Sequence, residues 1–201
     1  MGFWAALGSG VLTVISFLWS LLVDWLFIFI SPIMNLEILW IIIPIYVNWI
    51  FTEIFQEKEG TGLGNAVTNA AVMLWVGIDW IRYLLRHIST NDIGFSWILV
   101  TKFFLCIVVI FLGLFIVYAG LKGKRWIKYV ARVRETSYVL LMFSPVIYGI
   151  INLSWNFLLA IIIYFPLFYF LVEMLDRYTP DPKTYQSEGS GSSDRMNMNF
   201  R

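Results

Sequence analysis

Long apolar stretches dominate this chain, and five of them contain 18 or more residues between Val11 and Leu175. About 20 consecutive apolar residues allow an α-helix to cross the hydrocarbon core of a bilayer. The pattern therefore predicts an all-α protein, a polytopic bundle of transmembrane helices. The six predicted spans are residues 11–31, 37–55, 64–86, 97–120, 137–152 and 155–175.

The final apolar stretch, residues 137–175, is long enough to fold back on itself. As one straight helix it would measure about 58 Å, nearly twice the bilayer core of about 30 Å. Gly149, Asn152 and Trp155 lie near its middle, and Trp beside polar residues is typical of a membrane interface. We therefore predict a helical hairpin with a short first arm. The count falls to five spans if this hairpin or segment 64–86 does not cross completely.

Basic residues predict the orientation of the chain. One segment, residues 122–134, holds Lys122, Lys124, Arg125, Lys128, Arg132 and Arg134. Loops rich in Lys and Arg remain in the cytoplasm, so six spans place both termini there as well. Of the 14 Lys and Arg residues, only Arg82, Arg86 and Lys102 then fall toward the outer side. The predicted topology is therefore N-in/C-in, in the plasma membrane.

The same basic segment has the pattern of an amphipathic helix. Lys124, Lys128 and Arg132 recur at every fourth position, and Trp126 and Tyr129 fall on the opposite side. Such a helix lies in the headgroup layer and attracts anionic lipid. All six basic residues of the segment are candidate lipid contacts. An equally favoured alternative is a helical extension of the next span, with the charges serving only to set the topology.

Composition separates the membrane part from a polar tail. The chain is 60% hydrophobic and 13% charged, whereas soluble domains contain about 25% charged residues. We assign residues 1–178 to a transmembrane domain. Residues 179–201 are rich in Ser and Gly, and this composition predicts a disordered cytoplasmic tail. The net charge is only +1, so we expect no nucleic-acid partner.

Polar residues form a stripe within the predicted membrane spans. On the third span Asn65, Thr68, Asn69, Asp79 and Arg86 lie within about 60° of one line at 100° per residue, and the first four are the candidate path. Asn48 and Thr52 share one face of the second span. We expect the two faces to meet and share hydrogen bonds. The stripe is either a path for an ion or proton centred on Asp79, or contact between helices with an Asp79–Arg82 pair; the second is favoured.

Catalytic chemistry finds little support in the sequence. The chain has one histidine, His87, and one cysteine, Cys106. We find no metal-binding His pair, no serine-hydrolase turn and no nucleotide-binding loop. We therefore predict no catalytic residue, no cofactor and no metal site.

Three classes of function remain. The favoured one is a structural or accessory subunit that packs with other membrane proteins. The alternative is a small oligomeric channel or carrier, for an ion or small solute, that uses the polar stripe. A lipid-modifying or intramembrane enzyme is the least favoured. The expected partners are anionic lipid headgroups and either foreign membrane subunits or further copies of the chain.

Overall fold

The computed structural model of the protein describes residues 3–56, 62–90 and 96–178. All regular structure in these three stretches is helical, which confirms the predicted all-α class. The tail predicted at 179–201 lies outside the described residues. The helices are α1 (Phe3–Ile30), α2 (Leu36–Gln56), α3 (Leu63–Ser89), α4 (Trp97–Leu121), α5 (Ile127–Val130), α6 (Val133–Ile147), α7 (Trp155–Ile163) and α8 (Phe165–Tyr178), with a 3-10 turn at Ser31–Met34.

Within the described residues, four helical stretches are long and apolar enough to cross a membrane, judged by length and composition. They are Gly8–Met34, Leu36–Glu53, Trp97–Leu121 and Trp155–Leu175. This supports a membrane bundle, but with fewer qualifying helices than the six predicted spans. Helix α3 has 27 residues, yet its polar positions lower its hydropathy. Helix α6 has only 15 residues, about 22 Å at 1.5 Å per residue.

The hairpin predicted within residues 137–175 is present. Its first arm is α6, which begins and ends a few residues earlier than expected. Gly149 then adopts a positive φ of 73°, a backbone conformation that glycine tolerates best. The hydroxyl of Ser154 accepts a hydrogen bond from the Phe157 N–H at 3.1 Å and begins α7. The second arm breaks at Tyr164, ahead of Pro166 in α8, because a proline ring clashes with a continuous helix.

Helix α6 is the centre of the bundle. Twelve of its 15 residues are buried. The Tyr138 hydroxyl donates to the Ile161 carbonyl at 2.7 Å and accepts from the Trp25 indole at 2.9 Å. On another face, the Trp80 indole donates to the Ser144 hydroxyl at 3.2 Å. Helices α1, α2 and α3 therefore pack against α6, and α7 contacts it through Tyr138.

Three glycines allow α3 and α4 to approach closely in an antiparallel pair. A Cβ atom at Gly77 would lie 2.5 Å from Ile110 Cγ1, and one at Gly120 would lie 2.4 Å from Val67 Cγ2. Between them, a Cβ atom at Gly113 would lie 2.9 Å from Leu74. We call these three positions the glycine seam. Small residues serve this purpose in membrane bundles, where packing holds helices together.

The continuous amphipathic helix predicted over residues 122–134 is wrong. Helix α4 ends at Leu121, and Gly123 adopts a positive φ of 66°. Helix α5 is a single turn, and the extended backbone of Arg132 precedes α6. The chain must reverse direction between α4 and α6, and the two breaks provide that reversal.

Candidate functional site

Ionic clusters lie at both ends of the bundle. At one end, which we call the basic end, lie residues 122–134 and the last turns of α2 and α8. At the other, which we call the opposite end, lie the start of α2 and the last turns of α3. Helix α6 links them, because its first turn lies at the basic end and Tyr148, just after its last residue, lies at the opposite end.

The cluster at the basic end is centred on Arg134, in the first turn of α6. Its Nε atom donates to Glu53 Oε1 at 2.7 Å, and its Nη2 atom contacts the same oxygen. Its Nη1 atom donates to Glu173 Oε2 at 2.9 Å, and its guanidinium lies 5.0 Å from the centre of the Tyr169 ring. Arg134 and Glu53 are buried. The cluster therefore joins α2, α6 and α8 through one cation.

The predicted lipid contact at Arg134 is therefore wrong, since its charge is turned inward onto two carboxylates. The remaining five basic residues stay at least partly accessible. Lys122 lies over the Tyr118 ring at 5.7 Å, and Arg132 lies 3.8 Å from Glu135. The five residues that keep the predicted accessibility are Lys122, Lys124, Arg125, Lys128 and Arg132.

The polar faces of α2 and α3 meet, as predicted. The Asn48 side-chain amide donates to Asn69 Oδ1 at 3.2 Å, and Asn69 donates to the Ala131 carbonyl at 2.9 Å. Thr52 is buried on the same helix as Asn48. Asn65 is half-buried, whereas Thr68 is exposed and donates to the Gly64 carbonyl of its own helix at 3.1 Å. Thr68 therefore contributes no contact between helices.

Asp79 forms the cluster at the opposite end. Its Oδ1 atom accepts from Arg82 Nε at 2.9 Å and from Arg82 Nη2 at 2.6 Å, so the predicted pair is present. Its Oδ2 atom accepts from the Tyr148 hydroxyl at 2.5 Å. The Tyr83 hydroxyl donates to the Tyr148 carbonyl at 3.0 Å, and their rings stack 4.1 Å apart. Asp79 is thus held by α3 itself and by the turn after α6.

A cleft of about 500 Å³ opens beside this cluster, between α2 and α3. Glu37 at the start of α2 pairs with Arg86 near the end of α3 across the opening. The cleft is lined by Glu37, Trp40, Trp75, Ile78, Asp79, Arg82, Arg86 and Tyr148.

No protein-family model, curated protein or solved structure matches this chain. In the part of the chain that the structure describes, no three His, Cys, Asp or Glu residues lie close enough together to hold a metal ion. Each carboxylate of the two clusters is instead paired with an arginine.

An apolar layer separates the Asn48–Asn69 contact from the Asp79 cluster. Asn69 and Asp79 are ten residues apart on α3, about 15 Å along the helix axis. Met73, Val76 and Trp80 lie between or beside them, and all three are buried. The predicted stripe is therefore divided into two polar groups, each satisfied by its own partners.

Sequence reasoning missed Glu53, Glu37 and Tyr148 as members of these clusters. Glu53 lies off the polar face of α2, and its partner Arg134 follows 81 residues later. Tyr148 lies 69 residues from Asp79. One chemical signal was available in the sequence. An arginine and a glutamate at the same membrane depth are expected to form an ion pair, because an unpaired buried charge is costly.

Proposed function

We propose that this protein is an accessory subunit of the plasma membrane that packs against other membrane proteins through the first half of α1. The observation that carries this proposal is the exposure of that helical half. Every residue from Gly8 to Ser20 is exposed. From Leu21 onward the same helix contributes buried residues to the core, including Trp25 and Ile28. Thirteen residues of an apolar helix are thus exposed, and the Leu18 carbonyl among them accepts a hydrogen bond from the Tyr164 hydroxyl at 2.7 Å.

A narrow stripe of small residues marks the face that a partner helix would contact. Its members are Ser9, Thr13, Ser16 and Ser20, which fall within about 60° at 100° per residue. The hydroxyls of Thr13, Ser16 and Ser20 donate to carbonyls of α1 at 2.8–2.9 Å. These polar groups are therefore satisfied even in lipid. Small side chains let two backbones approach, which favours association of helices in a bilayer.

A channel or carrier is the second candidate, and the geometry favours it less. A conducting path needs polar groups that continue across the membrane, whereas the two polar groups here are separated by the buried residues Met73 and Val76. The charged groups are also paired within the chain, which favours a static framework.

We propose an N-in/C-in topology with six passes, and the relative directions of α2 to α8 fit alternating passes. The contacts Glu37–Arg86 and Asn48–Asn69 make α2 and α3 antiparallel. The glycine seam makes α4 antiparallel to α3. Contacts of Phe143 with Phe157 and of Arg134 with Glu173 make α7 and α8 antiparallel to α6. The basic end then faces the cytoplasm, where its five accessible basic residues contact anionic headgroups.

The test is affinity purification of the tagged full chain from native membranes in a gentle detergent, followed by native mass spectrometry. We expect foreign membrane subunits at fixed stoichiometry. The double variant Thr13→Leu/Ser16→Leu should lose them, because leucine blocks close approach at the stripe. The control Val14→Leu, on the far side of α1, should retain them. A clean homo-oligomer that conducts a solute would contradict the proposal and establish the channel.

A further inference from the structure

The cleft between α2 and α3 carries charges of both signs on a surface that lies within reach of lipid. Glu37 is the second residue of α2, and Arg82 lies seven residues before the end of α3. Seven residues correspond to about 10 Å along the helix. In the proposed topology, the cleft therefore lies at headgroup depth. Its volume of about 500 Å³ is within the range of sites for small ligands.

The charge of the cleft is balanced. Two arginines, Arg82 and Arg86, face two carboxylates, Glu37 and Asp79. Asp79 is only 5% exposed and its two oxygens are occupied by Arg82 and Tyr148, so it serves as an anchor. A guanidinium has five N–H donors, and Asp79 uses two of those of Arg82. Since the Arg82 side chain is 53% exposed, the remaining donors can reach a phosphate.

Aromatic residues form the wall toward the lipid. Trp40 and Trp75 line the cleft and are more than half exposed. A Trp face attracts an alkylammonium group, and the Glu37 carboxylate supplies a negative charge beside it. The cleft thus offers guanidinium donors for a phosphate and a carboxylate with indole rings for an amine.

An apolar track leads from the cleft toward the middle of the membrane. On α2, Trp40 is followed by Ile43 and Val47, which are exposed. On α3, the exposed residues Ile78 and Trp75 likewise follow one another from the cleft toward the middle of the membrane. Acyl chains attached to a headgroup in the cleft would lie along these two faces. A soluble ligand without acyl chains would make no contact with this apolar track.

We infer that the cleft binds one phospholipid with a zwitterionic headgroup, its phosphate on Arg82 and Arg86 and its amine on Glu37 and the two indole rings. Balanced charge favours a zwitterion over an anionic lipid, because the positive and negative groups of the cleft are then both matched. The inference is independent of the protein partner proposed above, because the small residues proposed to contact that partner lie on α1, whereas the cleft lies between α2 and α3.

The test is native mass spectrometry of the full chain in detergent with added phosphatidylethanolamine or phosphatidylglycerol. We expect one phosphatidylethanolamine molecule to be retained. The double variant Glu37→Gln/Arg86→Gln removes one charge of each sign and should weaken retention about tenfold or more. The control Arg177→Gln removes an exposed charge at the basic end that is not among the proposed lipid contacts, and it should leave retention unchanged. Thermal unfolding of each variant checks that it is folded.

A second variant and a second probe complete the design. Trp75→Leu keeps the wall apolar but removes the π face, so it should also weaken retention of phosphatidylethanolamine. Glycerophosphoethanolamine, the same headgroup without acyl chains, should not displace the lipid at equal concentration. Displacement by it would overturn the lipid assignment in favour of a soluble zwitterion. Equal retention of both lipids by wild type and by both cleft variants would overturn the site itself.

Discussion

At the scale of single residues, Arg134 is the most constrained charge in the bundle. Its side chain is buried. Its Nε atom donates to Glu53, and its Nη1 atom donates to Glu173. Burying a cation is tolerable only when paired groups replace its hydration. Its fork of N–H donors meets carboxylates from two different helices, which a lysine could not do with the same geometry.

We predict that Arg134→Gln lowers the free energy of unfolding by about 3–5 kcal/mol, because it leaves the buried Glu53 carboxylate without its arginine. The measurement is denaturant unfolding of the purified protein in mild detergent. The matched control is Arg132→Gln, two residues earlier and partly exposed, for which we expect about 0–1 kcal/mol. Equal losses in the two variants would show that the Arg134 cluster does not hold the fold.

Tyr148 provides a separate test at the opposite end. Tyr148→Phe keeps the ring stacked on Tyr83 and removes only the hydroxyl that donates to Asp79 at 2.5 Å. A hydrogen bond to a charged group contributes about 1.5–3 kcal/mol, and we expect that loss in the same unfolding assay. Tyr178→Phe, at an exposed position, should change nothing. An unaffected Tyr148→Phe would mean that Arg82 alone satisfies Asp79.

At the scale of elements, the glycine seam between α3 and α4 decides how closely two helices pack. We predict that Gly113→Leu destabilises the protein by at least about 1–3 kcal/mol. Its side chain would enter space held by Leu74, with the Ala70 carbonyl 3.1 Å from the new Cβ. The control is Gly64→Leu on α3, where a Cβ atom meets nothing within 4 Å. If Gly113→Leu and Gly64→Leu unfold at the same midpoint, the close packing of α3 against α4 at the glycine seam is excluded.

The sequence predicted the positions of helices and turns better than it predicted which helices are buried by protein and which face lipid. The hairpin turn was predictable because Gly149, Asn152 and Trp155 interrupt the apolar run. The Asn48–Asn69 contact was predictable because the two polar faces flank one short connection. The burial of α6 was not, since lipid and protein interiors are equally apolar and a hydropathy pattern does not distinguish them.

Arg134 was misassigned for a related reason. The predicted wheel assumed an unbroken helix from residue 122 to 134, whereas the chain breaks at Ala131 and Arg132. Each break rotates the residues that follow it, so Arg134 belongs to the first turn of α6. Its two carboxylate partners come from α2 and α8, and no local pattern encodes such distant pairs.

At the scale of the whole molecule, α6 is fixed at both ends. Arg134 ties its first turn to α2 and α8, and Tyr148 ties the following turn to α3. Lys102 of α4 also donates to the Ile147 carbonyl at 3.2 Å. Helix α6 is thus held at both ends, whereas the first half of α1 is exposed along its length from Gly8 to Ser20. This arrangement fits a subunit whose function lies in what it binds.

The proposed topology gives the last prediction, which concerns which end of the bundle faces the cytoplasm. The described part of the chain has one free cysteine, the buried Cys106, and the whole sequence contains no other. In a Cys106→Ser background, Met34→Cys at the opposite end should react with a membrane-impermeant maleimide in intact cells. Lys124→Cys at the basic end should react only after the cells are permeabilised.

Both positions are exposed, so a difference in labelling reports the side of the membrane and not burial. The physical basis is the excess of Lys and Arg in residues 122–134, because insertion retains such segments in the cytoplasm. Labelling of both positions in intact cells would mean that one of the helices between them, α2, α3 or α4, fails to cross as proposed. Reversed labelling would place the Arg134 cluster outside, and anionic lipid of the inner leaflet would then be out of reach of the basic end.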